Sequence, residues 1–169
     1  MAHKDKRYHV LTGSGRTAGL EFPAKLPVTL VQGQSAIVEF TISDDLPRWD
    51  SVGRVHDVLV RVGITGSSEL DRICFKLNGK ELPASSMRTI NLMFRMNVPR
   101  NRSVGGYWFI FRSERDRWPI QGKNTLEVTL LERDPDLMGE VSIQHLELET
   151  KYLMGKNFYH GEVDPDLGF

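Results

Sequence analysis

Residues 95–118 hold the side chains best suited to chemistry. Arg95, Arg100, Arg102, Arg112, Arg115 and Arg117 share this stretch with Tyr107, Trp108 and Trp118. Guanidinium groups beside aromatic rings bind sugars, stacked bases or carboxylates. The planar fork donates in fixed directions, and the ring offers a flat apolar face. Glu114 and Asp116 interleave with the arginines, so a solvated loop with local ion pairs is the simpler account of the charges. Tyr107 and Trp108 lie in an apolar run and read first as core. Trp49 and Trp118, at loop positions, are the better candidates for exposed rings, since loops commonly carry binding residues. The candidate ligand-binding set is Trp49, Tyr107, Arg112, Arg115 and Trp118.

Other chemistries find less support. No serine sits in a Gly-x-Ser-x-Gly elbow; Gly13-Ser14-Gly15 reads as a flexible loop. His3, His9, His56, His145 and His160 form no pair at metal-ligand spacing, and His56 and His145 read as ordinary strand residues. Asp44 and Asp45 are explained by helix capping. Asp134, Asp136, Asp164 and Asp166 leave a structural calcium open, without the glycine-centred loop of an EF-hand. The single cysteine, Cys74, lies in the apolar run Arg72-Ile73-Cys74-Phe75 and reads as a small buried residue. No cofactor and no catalytic residue are expected.

The 169 residues suit one domain, and basic and acidic side chains balance at 22 each. That balance argues against a general nucleic-acid binder. The charged opening Met1–Arg7 has no apolar core of a signal peptide, and no stretch approaches the ~20 apolar residues of a membrane helix. A soluble, cytoplasmic protein is expected, although such an opening is also what a domain linker looks like.

The elements that would position these residues are mostly strands. Alternation of period two marks half-buried strands at 35–42 (Ala36, Val38, Phe40, Ile42), 55–64 (Val58, Val60, Val62, Ile64), 88–98 (Ile90, Leu92, Phe94, Met96, Val98) and 124–131 (Leu126, Val128, Leu130). Residues 26–31 form an edge strand opened by Pro27. Residues 70–77 run into Asn78-Gly79, a strong hairpin signal. Residues 106–112 are apolar on both faces and should be covered on both. In 140–153, Val141 and Ile143 share one parity and Leu146 and Leu148 the other, which predicts a β-bulge at Gln144-His145. Asp45, Pro47 and Gly53 predict one short helix through Val52. The expected fold is all-β: a two-sheet antiparallel β-sandwich or jelly roll with at most one short helix. Its parts are an N-terminal extension or edge segment at 1–24, the sandwich at 25–154 and an apolar tail at 155–169 packing on the domain or a partner.

One order of features has a familiar look. Phe75-Lys76-Leu77-Asn78-Gly79-Lys80-Glu81-Leu82 is strand, turn and return. An aromatic strand follows at 107–111, then Gln121-Gly122-Lys123-Asn124-Thr125-Leu126-Glu127-Val128, then a closing strand at 141–152. Over residues 55–153 this resembles the galactose-binding-like jelly roll attached to many glycoside hydrolases, such as the sugar-binding domain of β-galactosidase-type enzymes. It is also similar to sandwich domains that follow barrels in large bacterial proteins of that type, and to small β-sandwich subunits of C-glycoside-cleaving enzymes. The resemblance implies a non-catalytic carbohydrate-binding module or accessory subunit. The alternative is a structural domain that docks on a catalytic partner without binding sugar. A stand-alone enzyme comes third.

Overall fold

The computed structural model describes residues 3–12, 20–21, 26–91 and 106–154, with side chains for 26–91 and 106–151. Two antiparallel sheets face each other. The first runs β1 (His3–Thr12), β11 (Val141–Met154), β5 (Val55–Thr65), β9 (Gly106–Arg112), β8 (Met87–Asn91), and β3 (Val28–Leu30) pairs the first residues of β11. The second runs β2 (Leu20–Glu21), β4 (Ser35–Ile42), β10 (Gly122–Glu132), β6 (Arg72–Leu77), β7 (Lys80–Glu81). The protein is an all-β sandwich. Among the described residues, no helix is long and apolar enough to cross a membrane.

The alternating residues close over one interior. Val58, Val60, Val62 and Ile64 of β5 oppose Val38, Phe40 and Ile42 of β4 and Leu126, Val128 and Leu130 of β10, all essentially buried. Phe75 bridges the sheets, its ring centroid 5.1 Å from Phe109 and 4.9 Å from Phe111, both tilted. Each fully buried side chain of this size contributes about 1.5–3 kcal/mol. Phe94, and the rest of the expected strand beyond Asn91, lie outside the described residues, as does the tail at 155–169.

Two local expectations hold in detail. Register shifts between Ile143 and His145; this bulge lets Ile143 and Leu146 both face the core. The helix α1 spans Leu46–Ser51, with Asp45 accepting from the Arg48 N–H and Gly53 at φ +69° behind it.

Three expectations need correction. Trp49 is inside α1, not in a loop. Cys74 is half-buried, because it pairs with Thr129 on the face of β6 turned away from Phe75 and the core. Burial and then Glu81 push its thiol pKa up. Ile90 pairs with Trp108, on the outer side of the first sheet, while Met87 packs on the core.

Candidate functional site

One end of the sandwich carries α1, the hairpin turn at Asn78-Gly79 and the loop from β9 to β10. Sequence dictates how this loop is held. The Ser113 N–H donates to Val58 O at 2.9 Å, and the Ser113 carbonyl accepts from the Trp118 indole at 3.0 Å. Arg115–Arg117 form a single 3-10 turn. Lys80 Nζ donates to Asp116 O and Arg117 Nε to Glu81 O, so the hairpin clamps the turn from the second sheet.

Between this loop and the start of β5 lies an open depression of about 510 Å³, lined by His56, Asp57, Arg112, Ser113, Glu114, Arg115, Asp116 and Trp118. The Arg112 Nε donates to Asp57 at 2.9 Å, and Lys151 approaches the other Asp57 oxygen at 3.8 Å. Arg115 Nε pairs with Asp50 of α1 at 3.1 Å. Both arginine side chains are largely exposed, whereas Asp57 is mostly buried. Each guanidinium is thus anchored through Nε, with its outer nitrogens left toward solvent. Arg117 instead faces Glu114 and Asp116, the local ion pairing expected of a mixed-charge loop. Ser113 is nine-tenths buried and its Oγ makes no hydrogen bond among the described residues.

The structure therefore brings Arg112, Arg115 and Trp118 together. Trp118 is half-buried and packs on the core along one side. Trp49 is 41% exposed and precedes Asp50 but does not line the depression. Tyr107 sits at the opposite end of β9, on the core face against Phe109. Its phenol pKa is raised by burial and by Glu69, to which it hydrogen-bonds. Sequence reasoning missed Asp50 and Asp57. The signal for Asp57 was the odd spacing of Val55 and Val58, which forces a register shift opposite Lys151 and Tyr152.

The aspartates of 134–136 have other partners. Asp134 accepts from the Ser68 hydroxyl and the Asp136 N–H. Its own N–H donates to Asp71. Among the described residues no cluster of three His, Cys, Asp or Glu could hold a metal ion; Asp164 and Asp166 lie outside them.

No family model matches this chain. No curated protein matches it either. Among solved structures, the chain is similar to BuGH86 in complex with neoagarooctaose, at TM-score 0.49 and 11% identity over 92% of this chain. The chain spans only 20% of that protein's length.

Proposed function

We propose that this sandwich is a non-catalytic, carbohydrate-associated binding module or accessory subunit of a glycoside-active enzyme, with the Arg112–Arg115–Trp118 depression as its sugar-contacting surface. The observation that carries the reading is this convergence: an indole and two anchored, outward-facing guanidinium groups meet in one open hollow on a loop end. A ring packs against the C–H face of a sugar, and fixed donors read its hydroxyls. The galactose-binding-like resemblance of residues 55–153 points the same way. A glycan array on the purified chain, with Arg112→Ala beside it, tests this. Retention of at least one glycan class, lost in the variant, is expected. A chain that retains none defeats the reading.

A second reading, docking on a catalytic partner without sugar contact, is favoured by a different observation. Val31, Leu70, Leu137 and Met138 expose apolar side chains on the loops of the opposite end, Met138 at 98%. Cross-linking from position 138 followed by co-purification tests it; a chain that stays monomeric and cross-links to nothing defeats it.

A further inference from the structure

The charges around the depression narrow the ligand, an inference that rests on the carbohydrate reading above. Asp57 pairs with Arg112 and Lys151, Asp50 with Arg115, and Glu114 and Asp116 with Arg117. Among the described residues these four carboxylates each have a cationic partner within the set, so the ion pairs that frame the hollow balance one another. What remains exposed alternates along the loop. Arg112 and Arg115 are donors, 66% and 76% exposed; Glu114 and Asp116 are acceptors, 72% and 59% exposed. Guanidinium only donates and carboxylate only accepts. A hydroxyl does both, so neighbouring hydroxyls of one sugar can satisfy a donor and an acceptor side by side. Ser113 also lines the hollow, with its Oγ buried and, among the described residues, not hydrogen-bonded.

We propose that the depression recognises adjacent hydroxyls of a neutral sugar, through the alternating Arg112, Glu114, Arg115 and Asp116 side chains, and discriminates against acidic sugars. A uronate or sulfate would meet arginines already held by Asp57 and Asp50 and would lie beside the exposed carboxylates of Glu114 and Asp116. Screening by salt weakens exposed charge–charge attraction, so binding of the expected ligand should be nearly independent of ionic strength.

Calorimetry on the full chain tests this with neutral gluco-, galacto- and manno-oligosaccharides against oligogalacturonate and a sulfated galactan oligosaccharide. Arg115→Ala and Asp116→Ala, both at exposed positions, serve as variants, with thermal melts to confirm folding. A neutral probe should bind, its Kd changing less than about twofold as NaCl rises from about 50 to 500 mM, and each variant should weaken it at least about tenfold, or 1.4 kcal/mol. An acidic probe that binds more tightly than every neutral one, and weakens with salt, overturns the inference and leaves the carbohydrate reading standing. So does neutral binding that neither variant alters. Binding of none of the probes overturns both.

Discussion

The Asn78 side-chain amide donates to Asn124 Oδ1 at 2.8 Å, joining the hairpin turn between β6 and β7 to the neighbouring strand β10. The return contact runs from the Thr125 N–H to Asn78 Oδ1. Asn78 at φ +50° and Gly79 at φ +81° make a turn with both central residues left-handed, the geometry for which Asn-Gly is favoured. The motif residues on which the family resemblance rests thus have structural work of their own.

Asn124→Ala should be among the more damaging polar substitutions. Asn124 is fully buried and makes four side-chain hydrogen bonds, to Asn78, to the Ile120 N–H and carbonyl, and to the Gly122 carbonyl. Removing it leaves part-buried backbone groups at Ile120 and Gly122 unpaired, at a cost of about 1–3 kcal/mol. Urea denaturation measures the loss. A change below about 0.5 kcal/mol, the range of ordinary surface substitutions, would mean that water replaces the amide freely.

Gly106→Ala tests the close approach of β9 to β5. A methyl group there would run into the Ile64 carbonyl oxygen and come within 2.7 Å of the Thr65 Cα. Both obstacles are backbone and cannot rotate away, so the start of β9 must shift from its partner. A loss of at least about 2 kcal/mol is expected, read as a lowered urea midpoint. Wild-type stability would show that the strands are farther apart than described.

The strands that could be read from sequence are those with one face in the core. β4, β5 and β10 alternate cleanly because every second side chain is buried, and the bulge in β11 betrayed itself by a change of parity. β1 gives no such signal: His3-Lys4-Asp5-Lys6-Arg7 is polar throughout, and its place comes from pairing with β11 through ten positions. Arg112, Arg115 and Trp118 could be grouped from sequence because the chain itself sets them close together. Asp57 and Asp50 arrive from β5 and from α1, a relationship that only the tertiary fold creates. Tyr107 shares a strand with Arg112, yet the fold places it away from the depression. Five residues of strand cover about 17 Å, and an odd separation points the two side chains to opposite faces.

Asp71→Ala should show how differently buried and exposed ion pairs behave. The Asp71 carboxylate is wholly buried, receives Arg133 Nη1 at 2.6 Å and accepts the backbone N–H groups of Ser68 and Asp134. Truncation leaves Arg133, itself only 14% exposed, without its counter-charge, at a cost of about 3–5 kcal/mol. Arg72→Ala breaks the exposed pair with Glu132 at the same end and should cost no more than about 1 kcal/mol. Equal effects in chemical denaturation would refute the distinction.

His145 should give the fold a dependence on pH. Its ring stacks on Trp108 at 5.5 Å and rests against Gly63, where a Cβ would stand 3.1 Å from the imidazole. Burial lowers its pKa below the ordinary histidine value, and the nearby Glu147 carboxylate only partly opposes this. The neutral ring is therefore favoured in the folded chain. Below about pH 6.5 the unfolded chain takes up a proton that the folded one resists. Stability from this residue is present above that value and is lost as pH falls toward the folded-state pKa. Calorimetric melts from pH 7.5 to 5 should show a falling midpoint, with a shallower fall in His145→Gln, which cannot titrate. Parallel curves for the two proteins would mean that carboxylates elsewhere carry the acid sensitivity and that the imidazole against Trp108 is as well solvated as a free one.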